Sequence, residues 1–192
     1  MRGQRRMPRV VLHFHLSDTA VRTEQGLVRP EDGDVQTVQQ LRDWLAETGC
    51  QVQVRPVVDP AQVAAVDSYE TPSSMRDALI VRHPAEVFPY GSGMGRNLDL
   101  DHSVPYRSTV DGGPPGQTGL HNLGPLSRRS HRAVTHARWR RCQPLPGTHL
   151  FRSPHGYVFV VTNQGTVGLG CAPFAQQIWR QAVSHVQAVL AA

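Results

Sequence analysis

Residues 98–106 read LDLDHSVPY, and the rest of the chain is organised around this stretch. Leu98 and Leu100 alternate with Asp99 and Asp101, the period of a half-buried strand. The run ends at Asp101-His102, and a turn follows at Ser103–Pro105. Neighbouring strand residues point to opposite faces unless the strand bends. One of this pair can therefore bind a metal ion while the other meets a substrate from another direction. Asp99 shares a face with Asp101 and is read as an ion-pair partner for an arginine. Residues 121–139 read HNLGPLSRRSHRAVTHARW. A helix is expected over 125–139, with Leu126, Arg129, Ala133 and His136 near one face. Asn122 carries an amide that both donates and accepts, which suits it to pinning a loop. His131, nine residues on, can return from the helix to a metal beside Asp101.

The chain has 192 residues, enough for one medium domain or two small ones with a core. It has no apolar run long enough to span a bilayer. The basic start, MRGQRRMPRVVLHFHLSD, reads as a lead-in to a strand, because its apolar part is short and broken by His13 and His15. Cys50, Cys142 and Cys171 are far apart and odd in number. They form neither a disulfide framework nor a CxxC pair, so a reducing, cytoplasmic setting is expected. All 20 basic side chains are arginine. Residues 1–111 hold 12 of them against all 15 acids, whereas residues 112–192 hold 8 and no acid. Such asymmetry suits a polyanionic partner for the second half. It also requires any carboxylate in a site built there to come from Asp111 or earlier.

The fold class expected is α+β. A small α/β unit over 1–68 would contain a strand at 8–17, a helix at 33–49 and a strand at 50–59 interrupted by Pro56. A second module over 69–148 would open with a helix at 69–84, capped by Thr71 and stopped by Pro84. The glycine-rich loop 88–97 would then lead into the strand at 98–102. The segment 149–192 would add a β-hairpin with a Pro-His-Gly turn and an amphipathic helix from Pro173.

Phosphodiester hydrolysis needs a water activated at neutral pH and positive charge where the phosphorane forms, and a histidine with one divalent cation supplies both. Asp-His, then Asn, then His resembles the HNH motif of the ββα-metal nucleases. With its flanks, from LDLDHSVPY through GGPPGQTGLHNLGPLSRRSHRAVTHARW to QPLPGTHLFRSPHGYVFVVTNQGT, the chain resembles the C-terminal half of a large actinobacterial family of HNH-containing proteins. VVLHFHLSD and VDSYETPSSMRDALIVRHP extend the likeness over nearly the whole chain. Such proteins carry a helical domain in front, and this chain starts after it.

The resemblance implies a ββα-metal nuclease module with His102 as general base. Asp101 and His131 would be metal ligands, and Asn122 would hold the loop. Arg128, Arg129 and Arg132 would meet phosphates near the helix; Arg138, with Arg140 and Arg141, is read either as DNA-binding or as a solvated helix end. Many such proteins also hold a structural zinc with four cysteines. The matching positions here are Glu86, Gly91, Leu98 and Ser127, so no such zinc is expected and packing would replace it.

The expected cofactor is Mg²⁺ or Mn²⁺, with Zn²⁺ or Ni²⁺ as alternatives. The expected partner is DNA, gripped mainly through its phosphates. No membrane partner is expected, and a homodimer is one arrangement that could cut both strands. The rival reading is a catalytically inactive nucleic-acid-binding fragment. A Ser or Cys hydrolase lacks a nucleophile elbow.

Overall fold

The computed structural model describes residues 11–31, 34–49, 52 and 62–191. It is a mixed α+β chain with five helices and three small antiparallel sheets among the described residues. Two compact units divide it, Met1–Val54 and Arg55–Ala192.

In the first unit, β1 (Phe14–Leu16), β2 (Leu27–Pro30) and β3 (Gln36–Thr37) form an antiparallel sheet in that order. A short helix, α1 (Asp18–Thr23), joins the first two strands, and α2 (Val38–Thr48) follows the third. Thr37 and Gln40 form a reciprocal capping box at the start of α2, and Gly49 ends it in the left-handed region at φ 60°. Ala20, Val28, Val38 and Leu41 make the core, flanked by Phe14, Leu16 and Leu45. The helix expected over 33–49 thus begins later, because Gln36 and Thr37 pair with β2. The strand expected over 50–59 lies outside the described residues apart from Val52.

The second unit opens with Val66 bridged to Thr118, followed by α3 (Ser73–Arg82). Thr71 does not cap this helix: Pro72 occupies the cap position, without a side-chain hydrogen bond. β4 (Asp99–His102) pairs antiparallel with β5 (Leu123–Leu126) in the register Asp99–Leu126, Leu100–Pro125, Asp101–Gly124 and His102–Leu123. α4 (Arg128–His136) follows directly, with Ser127 as its N-cap.

The expected helix over 125–139 is therefore a strand end plus a shorter helix. All four residues of β5 are buried. Leu123 joins the core under α3 with Met75, Ala78, Leu79 and Leu120. Leu126, on the opposite face, joins Val87, Phe151 and Val161. Burying each leucine contributes roughly 1.5–3 kcal/mol, and an extended LGPL segment places one on each side. Gly124 is required between them, because a Cβ there would lie 2.8 Å from His149 Cε1 and from Val87 Cγ2.

The expected C-terminal hairpin is part of a larger sheet. β6 (Arg140–Leu145), β7 (Thr148–Arg152), β8 (Val158–Thr162) and β9 (Gly165–Gly170) form a four-stranded meander. The Arg140-Arg141 pair, read as a helix end or a DNA contact, is strand, and Arg141 is buried. α5 (Pro173–Ala191) lies across the meander with Ala175, Ile178, Trp179, Ala182, Val183 and Val186. That helical spacing covers Cys142, Leu150 and Val158. Among the described residues no helix is long and apolar enough to cross a membrane.

Candidate functional site

β4 places Asp99 and Asp101 two residues apart, on one face of its ladder, and α4 brings His131 to them. His131 Nδ1 lies 3.0 Å from Asp99 Oδ2, and His131 Nε2 lies 3.5 Å from Asp101 Oδ1. In a neutral imidazole only one nitrogen carries hydrogen. The shorter contact assigns it to Nδ1, donating to Asp99. Nε2 then turns its lone pair toward a carboxylate oxygen, an arrangement favoured only with a proton or a cation between the two.

Asp101 and His131 are the two side chains that could hold a divalent ion here. Two ligands on one cation with bonds of about 2.0–2.2 Å lie roughly 3–3.5 Å apart, and this pair is separated by 3.5 Å. No group of three His, Cys, Asp or Glu side chains that could hold a metal is assembled among the described residues. Two protein donors alone fall short of the four that a closed structural zinc needs.

Both carboxylates have arginine partners as well. Arg128 Nη2 is 3.1 Å from Asp99 Oδ1, and Arg141 Nη2 is 3.1 Å from Asp101 Oδ2. Arg141 also donates to the backbone carbonyl of Asp101. Its side chain is 1 % exposed. Burial lowers its pKa to about 10, opposed by Asp101, so the guanidinium stays charged at neutral pH. Held from beneath on Oδ2, Asp101 presents Oδ1 to His131.

His102, the next residue, is buried and lies against different groups. Its Nε2 is 2.8 Å from Thr118 Oγ1, and that hydroxyl donates to the Ser68 carbonyl at 2.5 Å. Thr118 has a single hydroxyl proton, so it accepts from His102 and Nε2–H must donate. Nδ1 keeps its lone pair and has no hydrogen-bond partner among the described residues. Burial lowers the His102 pKa; Asp101 opposes this and Arg141 reinforces it. The ring is thus neutral near pH 7, with its lone pair on Nδ1. Tyr69 stacks on it at 5.6 Å between centroids and 24° between planes, and Tyr106 lies at 5.8 Å.

Asn122 is buried and closes the loop between β4 and β5. Its Oδ1 accepts from Val104 N at 2.7 Å, while Nδ2 donates to Val104 O and Gln117 O, each at 3.0 Å. Arg129, Arg132 and Arg138 are exposed, and no carboxylate pairs with them among the described residues.

Glu86 lies against two of the other three positions that match the zinc cysteines, Gly91 and Ser127. Its carboxylate accepts from Ser127 N at 3.1 Å, Ser127 Oγ at 2.9 Å and Gly93 N at 3.0 Å. A Cβ on Gly91 would lie 2.4 Å from Glu86 Cγ, and one on Gly93 would lie 3.0 Å from Leu98 Cδ2. A hydrogen-bonded carboxylate fills this space. Burial works to raise the Glu86 pKa, but hydrogen bonds from Ser130, Gly93 and Ser127 together hold it below the usual carboxylate range.

The structure thus brings Asp101 and His131 together and sets His102 and Asn122 at the adjoining strand end. Four participants were missed or underweighted. Asp99 was visible as the i−2 neighbour of Asp101. Tyr69, Thr118 and Arg141 lie 33 residues before and 16 and 39 residues after His102, and no local pattern marks them. Compared with protein-family models, curated proteins and solved structures, the chain matches none.

Proposed function

We propose that the protein is a metal-dependent endonuclease of the HNH type that hydrolyses DNA phosphodiester bonds. The observation that carries the proposal is Asp101 Oδ1 facing His131 Nε2 at 3.5 Å while Asp99 holds the opposite ring nitrogen. Asp101 and His131 would hold Mg²⁺ or Mn²⁺, and the bound ion would supply positive charge to the phosphorane and the leaving oxygen. His102 Nδ1 takes a proton from water, and Thr118 fixes the tautomer that makes this nitrogen the acceptor. The water oxygen bonds to phosphorus in line, the P–O3′ bond breaks, and O3′ is protonated from solvent, leaving a 5′-phosphate. Asn122 keeps the loop after His102 in place through three hydrogen bonds. Arg129, Arg132 and Arg138 contact phosphates, and Arg128 does so with part of its charge spent on Asp99. Affinity then falls steeply with salt.

A second reading has its own support. Arg128 and Arg141 already neutralise the two carboxylates, as in a nucleic-acid-binding fragment without turnover. Plasmid cleavage by the purified chain in Mg²⁺, Mn²⁺ and EDTA separates the two readings. Metal-dependent cutting reduced about 10²- to 10⁴-fold by His102→Ala supports the enzyme. No cutting in either metal, or equal cutting by the variant, supports the binding fragment.

A further inference from the structure

Tyr69 is a large aromatic side chain held on a fixed mount with most of its surface in water. Its residue is 69 % exposed. The backbone before it is tied to the segment around Thr118 and to Tyr106, and a local bond spans it. Val66 exchanges two hydrogen bonds with Thr118, at 2.8 and 3.2 Å. Asp67 O accepts from the Tyr106 hydroxyl at 2.5 Å, and Asp67 Oδ1 accepts from Gly116 N at 2.5 Å. Ser68 O accepts from Thr118, and Ser68 Oγ donates to Glu70 O at 2.8 Å. One face of the Tyr69 ring covers His102, and the Tyr106 ring meets it edge-on at 5.7 Å. Among the described residues no hydrogen bond holds its hydroxyl. A ring so preorganised loses little freedom when a second flat group stacks on it.

We propose that Tyr69 is a stacking platform for an unpaired base adjoining the scissile phosphate, so that the site selects single-stranded DNA. The proposal rests on the nuclease reading and narrows its substrate class. A base in a duplex has both faces covered by its neighbours and cannot stack on a protein ring without being extruded, whereas a single strand offers base faces freely. The same unit offers cations for a phosphate backbone: Arg129, Arg132 and Arg138 are exposed, and no carboxylate pairs with them among the described residues, whereas Arg128 and Arg141 are paired with Asp99 and Asp101. Aromatic platforms beside basic tracks bind single strands with little sequence preference.

The test uses the full chain and labelled 12-nucleotide probes: oligothymidylate, the same backbone with abasic sites, and a duplex of equal length. Binding is read by fluorescence anisotropy in EDTA, and cleavage in Mn²⁺. Wild type is expected to bind oligothymidylate roughly 10- to 100-fold more tightly than the abasic strand, the span of base–aromatic stacking. Tyr69→Leu should erase that ratio, and Tyr69→Phe should keep it. Tyr69→Trp, with a larger face, should increase it, which a purely structural role for the ring would not produce. Equal binding of abasic and base-bearing strands by wild type, or equal losses on both in Tyr69→Leu, overturns the platform. A chain that cuts plasmid yet shows no ratio loses the platform alone. A chain that neither binds nor cuts any probe loses the nuclease reading too.

Discussion

Replacing Glu86 with Gln changes one atom and removes one charge, yet it should destabilise the second unit severely. The Glu86 carboxylate accepts from two backbone N–H groups and one hydroxyl, at 2.9–3.1 Å. An amide has one acceptor oxygen. If that oxygen serves Ser127 N and Oγ, the NH₂ group faces the Gly93 N–H, donor against donor. Gly93 is half-buried, so leaving its N–H unpaired costs up to about 3 kcal/mol, and the two bonds from Ser127 lose charge assistance worth about 1 kcal/mol each. The expected loss is about 2–5 kcal/mol, a large share of the roughly 5–15 kcal/mol typical of a whole domain. Urea unfolding followed by tryptophan fluorescence at pH 7 measures it. The acid dependence supplies the sign. Because the folded pKa lies below the ordinary 4.5, the carboxylate's contribution is complete above that value. It is lost as pH falls through the folded pKa. The gap between wild type and Glu86→Gln should therefore close on acidification. A Glu86→Gln midpoint within error of wild type at pH 7, or a gap that widens in acid, would refute the account of this knot.

The other predictions concern the site and its surroundings. Replacing Glu86, Gly91, Leu98 and Ser127 together by cysteine should create a site for one Zn²⁺ per chain, with stability that EDTA removes; a folded variant that takes up no stoichiometric zinc would count against the resemblance to zinc-bearing HNH proteins. Gly91→Cys alone should destabilise, since its Cβ meets Glu86 at 2.4 Å. Asp99→Ala should weaken Mn²⁺ binding about 10- to 100-fold, measured by electron paramagnetic resonance; unchanged affinity would mean that Asp99 does not orient His131. His83 and His149 are buried, His83 Nε2 and both ring nitrogens of His149 have no hydrogen-bond partner among the described residues, and the two rings meet at 5.2 Å. Burial, with Arg82, lowers His83 to about 4; burial, with Arg141 and His83, takes His149 well below 6.5. The unfolded chain then binds these protons first, so stability falls as pH drops from about 6.5 towards 4. His149→Leu should leave stability at pH 7 equal or higher and flatten this acid limb; an unchanged limb would remove His149 from it.

Features that depend on local spacing were legible in the chain alone. The alternation in LDLDH made β4 legible and put Asp99 and Asp101 on one face, because strand side chains repeat every two residues. The amphipathic run after Pro173 gave α5, because its apolar positions recur at helical spacing. Asn122 was readable as a pin from its amide alone. The remaining features arise from contacts between distant segments. LGPL has no distinguishing period, and it became strand because two separate cores cover its two sides. Arg141 reads like any arginine in a basic run, and its burial beneath Asp101 follows from the β6–β7 ladder, which turns it inward. Thr118 sets the tautomer of His102 across 16 residues, and Tyr69 covers that ring across 33. A one-dimensional pattern records which side chains share a face of their own element; it carries no information about which other element will be packed against that face, and the site's chemistry resides in those contacts.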